Sequence, residues 1–233
     1  MDDDAAPRCY ALVPCAGVGQ RAATRQPKQY APLAGRGVVA HTLAALDAVP
    51  RLTATLVVLA PDDAAFEDAV PGWQGERRWR ARCGGATRAA SVAAGLAELR
   101  RRGARAQDWV LVHDAARCLL RPAWVERLIE ACWGDAVGGL LALPLADTLK
   151  QAEDGRAART LGRADQWLAQ TPQMFRCAEL QAALAAAGDD VTDEASAIEA
   201  AGRAPLLVAG EAENFKLTWP ADFELAGRLL QTR

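Results

Sequence analysis

Arg21 and Lys28 lie in the segment PCAGVGQRAATRQPKQYAPL (14–33), which also carries Gly17, Gly19, Arg25, Pro27 and Pro32. Glycines allow successive backbone N–H groups to turn to one side and form an anion-binding concavity. An arginine fork and a mobile lysine ammonium beside such a turn suit the phosphates of a nucleoside triphosphate. The apolar run 10–13 comes directly before it, so the turn belongs at the end of a buried strand. A solvated basic loop is the plainer alternative, and the position of GVG right after that strand argues against it.

Two commoner phosphate motifs fail. Through Ala22 the segment matches G-x-G-x-x-A, the dinucleotide fingerprint. That motif needs a helix from its second glycine, and Pro27 and Pro32 would each cost a helix interior about 3 kcal/mol. It also needs an acid about 20 positions on, at the end of the second strand. Here the second apolar run ends near Ala60, far too late. No G-K-[ST] follows, which excludes the P-loop.

Further candidates lie at other strand ends. Asp114 closes WVLVHD (109–114), where a carboxylate meets either Mg²⁺ or substrate hydroxyls, or else caps a helix. His113 reads as packed or hydrogen-bonded. With two histidines in the chain, nothing suggests a nucleophile triad. Thr87 and Ser91 suit a helix start, as do Thr192-Asp193-Glu194, with acids at the positive end of the dipole. Taken alone, Lys216 and Arg163 read as surface charges.

The elements that must position these residues follow from periodicity. Apolar runs at 10–14, 55–60, 109–113, 138–145 and 205–209 read as strands. Helices are expected near 37–48, 62–70, 87–102, 122–133, 176–187, 193–201 and 220–231. This alternation predicts an α/β, Rossmann-like, mainly parallel sheet with helices on both faces, whose ligands bind beyond the carboxyl ends of the strands. The polar segment 146–165, with a turn signal at Asp154-Gly155, reads as a protruding β-hairpin-like arm on a single 233-residue domain.

Composition narrows the partners. The chain is 51% hydrophobic with a net charge of −2, which argues against nucleic acid or a membrane surface. No apolar run approaches the roughly 20 residues of a membrane span. The acidic start is unlike a secretory signal. Six scattered cysteines without a CxxC pair read as reduced, buried thiols, and the expected location is cytoplasmic.

Several blocks in order resemble one family. They are Pro14-Cys15-Ala16-Gly17-Val18-Gly19-Gln20-Arg21 with Pro27-Lys28-Gln29-Tyr30; Gly84-Gly85, Arg88 and Ser91-Val92; Val112 to Arg117; Asp147 to Lys150; Arg163; Thr171-Pro172-Gln173; Thr192 to Ser196; and Asn214 to Thr218. Together they resemble the 2-C-methyl-D-erythritol 4-phosphate cytidylyltransferases of the non-mevalonate isoprenoid pathway. The resemblance implies transfer of cytidylyl from CTP to a polyol phosphate, with a divalent cation such as Mg²⁺, in a homodimer clasped through the arm.

By the same resemblance, Arg21, Lys28, Arg163 and Lys216 are catalytic. Pro14, Cys15, Ala16, Gly17, Gly19, Gly85 and Ser91 bind the nucleotide. Asp114, Arg117, Thr148, Thr171 and Thr192 meet the second substrate, and Asp114 also serves the metal. The chain departs from the family in carrying Ala86 where an acid often follows the paired glycines, so base selectivity rests more on main chain. Its arm is about two residues shorter. Alternatives are a relative acting on another polyol phosphate such as ribitol 5-phosphate, a nucleotide-sensing scaffold, which would be expected to lose the cations, and the disfavoured dinucleotide oxidoreductase.

Overall fold

A strand that is apolar on both faces needs cover on both, and the chain supplies it by alternating strands with helices. The computed structural model describes residues 6–17, 27–188 and 191–233. Its strands are β1 (Cys9–Pro14), β2 (Pro32–Leu33), β3 (Arg36–Gly37), β4 (Ala54–Val58), β5 (Arg78–Ala81), β6 (Trp109–Val112), β7 (Gly138–Pro144), β8 (Leu149–Glu153), β9 (Arg156–Leu161), β10 (Trp167–Arg176) and β11 (Leu206–Ala209). The helices are α1 (Val38–Asp47), α2 (Phe66–Ala69), α3 (Arg88–Arg101), α4 (Pro122–Cys132), α5 (Cys177–Ala186), α6 (Glu194–Ala200) and α7 (Pro220–Gln231).

Seven strands form one sheet in the order β11-β7-β10-β6-β1-β4-β5. Only β10 runs antiparallel to its neighbours. The two-residue period of β1 sends Cys9, Ala11 and Val13 to one face and Tyr10 and Leu12 to the other. The first face packs against Val39, Leu43 and Leu46 of α1 and Val125, Leu128 and Ile129 of α4. The second packs against Val92, Leu96 and Leu99 of α3, Leu180 of α5 and Ile198 of α6. A smaller cluster of Leu33, Val38, Cys118, Leu119, Leu217 and Ala226 fastens α7 and the strand-end loops together.

Five expected strands form within a residue or two of their expected limits, and so do six of the seven expected helices. The exception is 62–70, where only one turn, Phe66–Ala69, is helical. Periodicity missed β5, which is RWRA at the sheet edge, where charge discourages further pairing. It also missed β10, whose WLAQTPQMFR contains a proline. Pro172 is tolerated because the register shifts between Ala169 and Gln173. The expected arm is the β8–β9 hairpin, turning at Asp154 (φ 48°) and Gly155 (φ 74°). Positive φ at both positions is the turn whose twist matches a two-residue hairpin.

The order β6-β1-β4 places a switch point at β1, because the chain leaves β1 toward β4 and later returns to β6 on the other side. Such a point opens a crevice at the carboxyl ends. α3 sits close beneath it because Gly95 lacks a side chain. A Cβ there would lie 2.7 Å from both Leu12 Cδ1 and Val58 Cγ2. Gly95→Val should therefore lower stability by about 1–3 kcal/mol in urea unfolding, since overpacking forces the helix off the sheet. An unchanged midpoint and slope would show that α3 backs away without cost.

Candidate active site

The crevice holds a cleft of about 410 Å³. Its walls come from the carboxyl end of β1 (Pro14, Cys15, Ala16, Gly17), the following turn (Lys28, Gln29), the amino end of α3 (Gly85 to Arg88, Ser91), the loop after β6 (Asp114 to Ala116) and Lys216. Of the residues expected from sequence, it brings together Pro14, Cys15, Ala16, Gly17, Lys28, Gly85, Ser91, Asp114 and Lys216. Arg21 and Gly19 lie outside the described residues.

Asp114 is the hub. Its Oδ1 lies 2.9 Å from Arg88 Nε, and its Oδ2 lies 2.9 Å from Lys216 Nζ and 3.4 Å from Arg117 Nε. Burial alone would push this carboxyl up, yet Arg88, Lys216 and Arg117 outweigh it and hold it well below the usual carboxylate range. Arg88 also grips buried Glu194 with a bidentate pair at 2.6 and 3.0 Å. Burial opposes the charge on Arg88, but Glu194 and Asp114 together raise its pKa. Counting Lys28, four cations thus face two carboxylates, leaving the cleft positive.

Sequence reasoning passed over Arg88 as a site residue. A signal was present, because an arginine in the first turn opposes the helix dipole and needs carboxylate partners to stay there. No helix follows Asp114, so the capping alternative falls. The metal role expected of Asp114 does not fit this geometry, because three cations already surround its carboxylate. Among the described residues, no group of three or more His, Cys, Asp or Glu side chains is placed to hold an ion.

The hydroxyl expected from Thr171 is spent internally. It accepts from the Asp114 N–H at 3.1 Å and meets His113 Nδ1 at 3.0 Å, while His113 Nε2 lies 3.2 Å from the Arg117 carbonyl. A consistent assignment has Nε2 carry the proton and donate to that carbonyl, while Nδ1 accepts from Thr171. His113 is therefore a packed, neutral brace. Arg117 reaches Asp114 from below and donates to the Asn214 carbonyl at 2.7 Å. Burial lowers its pKa, though Asp114 offsets part of this.

The glycine pair and its helix are tied by side chains. Gly84 has no room for a Cβ against Ala16 and the Leu59 carbonyl. Thr87 caps α3, accepting from Ala90 N–H at 3.0 Å, and Ser91 Oγ accepts from Gly85 N–H at 3.1 Å. Lys28 opens a short 3-10 turn after Pro27 and donates to the Leu217 carbonyl at 2.7 Å. Thr192 is exposed beside the start of α6, which Asp193 and Ser196 cap reciprocally. Thr148 and Arg163 lie on the exposed arm and are not among the residues lining this chain's cleft. Arg163 donates to the Ala146 carbonyl at the arm's base. All six cysteines are free, and all but Cys83 are buried.

Burial lowers the pKa of His113 to about 4. The unfolded chain takes this proton near pH 6.5, so the stabilising contribution is complete above that and is lost as pH falls toward 4. The loss is about 3 kcal/mol over that window. Asp114, with its depressed pKa, gives up its contribution only below the ordinary carboxylate range. Urea unfolding across the window should show a decline that His113→Gln flattens, with His41 present in both proteins. Parallel profiles would refute the assignment.

The family model of 2-C-methyl-D-erythritol 4-phosphate cytidylyltransferase (IspD) matches residues 9–232. A "Bifunctional enzyme IspD/IspF" of Albidiferax ferrireducens is 60% identical over 230 residues, covering 99% of this chain, and the chain spans 54% of that relative's length. A 2-C-methyl-D-erythritol 4-phosphate cytidylyltransferase of Paraburkholderia phytofirmans is 52% identical over 230 residues and 96% of both chains. A crystal structure of 4-diphosphocytidyl-2C-methyl-D-erythritol synthase superposes with a TM-score of 0.85 at 40% identity, covering 96% of this chain and 99% of that one. Such agreement along nearly the whole length, in sequence and in backbone, makes this chain a member of the 2-C-methyl-D-erythritol 4-phosphate cytidylyltransferase family.

Proposed function

We propose that this enzyme joins CTP to 2-C-methyl-D-erythritol 4-phosphate, giving 4-diphosphocytidyl-2-C-methyl-D-erythritol and pyrophosphate. A phosphate oxygen of the acceptor bonds to the α-phosphorus, the bond from that phosphorus to the β-phosphate bridge breaks, and the electron pair leaves with pyrophosphate. The acceptor's second pKa is about 6, so at neutral pH it is already largely dianionic and needs no strong base. The chemical difficulty is charge: two polyanions must meet, and the transition state must be stabilised.

The observation that carries this reading is the positive cleft at the switch point, with Lys28 and Lys216 on its wall and its one described lining carboxylate, Asp114, ion-paired to three cations. Lys28, together with Arg21, stabilises the crowded α-phosphate. Main chain at Ala16, Gly17 and Gly85 takes the nucleotide, with Ser91 holding Gly85. Lys216 binds the acceptor phosphate while Asp114 fixes that lysine and offers an oxygen edge to the polyol hydroxyls. A divalent cation is expected to enter with the triphosphate, since the described residues offer it no cage.

The whole chain acts as one domain, and the arm supplies Arg163 and Thr148 to the cleft of a second copy. A two-stranded polar hairpin has little reason to be ordered alone, and neither residue lines its own cleft. The expected setting is cytoplasmic; among the described residues no helix is long and apolar enough to cross a membrane.

Pyrophosphate release should be fastest with CTP and methylerythritol phosphate, and slower with other nucleotides or with ribitol 5-phosphate. The reverse preference would replace this assignment. Lys28→Ala should cut turnover roughly 100-fold or more with little change in CTP affinity. Mixing it with inactive Arg163→Ala should restore activity in heterodimers, because one cleft then has both residues. No recovery in demonstrated heterodimers would count against a shared site.

A further inference from the structure

Gln29 is a polar side chain only 5% exposed, set between Lys28 and the turn that follows β1. Its Nε2 donates to the Cys15 carbonyl at 3.1 Å and to the Gly17 carbonyl at 2.7 Å. Only the NH₂ end of an amide can face two carbonyl oxygens, so the orientation of this side chain is fixed by its partners. A trans peptide points its N–H away from its carbonyl. Pinning the Cys15 oxygen therefore sets the direction of the Ala16 N–H, which has no acceptor among the described residues. Ala16 and Gly17 both line the cleft.

The next residue of the 3-10 turn fixes the same stretch of chain at Cys15. The Tyr30 hydroxyl donates to Asp63 at 2.5 Å and contacts Cys15 Sγ at 3.7 Å, and Gly84 presses against Ala16 from the other side. Cys15, Ala16 and Gly17, just past β1, are thus held by side chains that themselves have fixed places. Neither lysine nor arginine does this work; a neutral double donor does, because carbonyl oxygens need donors and the cleft's charge is reserved for phosphate.

We propose that Gln29 is a positioning residue for nucleotide binding, holding the carbonyls of Cys15 and Gly17 so that the Ala16 amide stays presented to the triphosphate. This rests on the CTP-binding function assigned above. A glutamate at this position is nearly isosteric. Ionised, it sets a carboxylate against two carbonyls; protonated, it regains one donor. Its buried surroundings raise its pKa, so acid should rescue it.

Calorimetric titration of CTP with Mg²⁺ into folded Gln29→Glu protein tests this, with folding checked by circular dichroism. Relative to wild type at the same pH, Kd should rise about tenfold or more near pH 8, the equivalent of losing one or two hydrogen bonds. Near pH 6 the ratio should fall to about threefold or less. Gln29→Met, which never regains a donor, should bind weakly at both pH values, and it serves as the test should the glutamate variant not fold. Wild-type binding with both variants within threefold of it at each pH would overturn the role of Gln29 alone. Equal weakening of the glutamate variant at both pH values would also overturn it, as that would mean general damage to the turn. A wild-type protein that does not bind CTP would overturn the functional reading together with this one.

Discussion

A buried carboxylate surrounded by three cations is the constraint on which this site depends. Asp114 alone would be costly to bury, and so would Arg88, Arg117 and Lys216. Brought together they offset one another, and Glu194 completes the balance on the far side of Arg88. What survives is a rigid arrangement with positive charge left over on the side facing the cleft. The cations come from α3, from the loop after β6 and from the segment before α7, three parts of the chain far apart in sequence. Ionic contacts therefore fasten together the walls of the crevice as well as charging it.

Neutral polar groups do the finer positioning. His113 and Thr171 orient the Asp114 backbone, Ser91 ties Gly85, and Gln29 takes two carbonyls of the turn after β1. Asn214, fully buried, donates to the Thr171 carbonyl at 2.8 Å and so links the segment bearing Lys216 to β10. Lys28 lies against the Leu217 carbonyl, which places the cation assigned to CTP one residue from the cation assigned to the acceptor. Movement of the 214–218 segment would be felt at both. Burial makes the Asp114–Thr171, Gln29–Cys15 and Asn214–Thr171 hydrogen bonds the most consequential, since an unmet donor or acceptor there has no water to replace its partner.

Beneath the site the sheet acts as a two-sided platform. Alternate residues of β1, β4 and β6 feed separate cores, so both faces resist shear and the strand ends keep their spacing. The arm has the opposite character, with most of β8 and β9 exposed. Its hairpin geometry is locally encoded, whereas its use depends on a surface it does not itself contain.

The sequence by itself determined the elements whose causes are local. Two-faced apolar runs dictated β1, β4, β6 and β7, apolar periodicity dictated the longer helices, and Asp154-Gly155 dictated the hairpin. It also marked the glycine turn, Lys28, Asp114 and Lys216, because the ordered blocks around them resemble a known family. Only the tertiary structure decided what depends on partners distant in sequence. β10 forms despite Pro172 because β6 and β7 flank it, and RWRA is a strand because β4 pairs with it. Thr171 turned out to be a brace rather than a free hydroxyl, and Asp114 a hub of cations rather than a metal ligand. Arg88 and Gln29 gained their importance from Glu194, Asp114, Cys15 and Gly17. Spacing along a chain encodes helix and strand periods, but the charge and hydrogen-bond balance of a buried site is settled only when separate segments exclude water together.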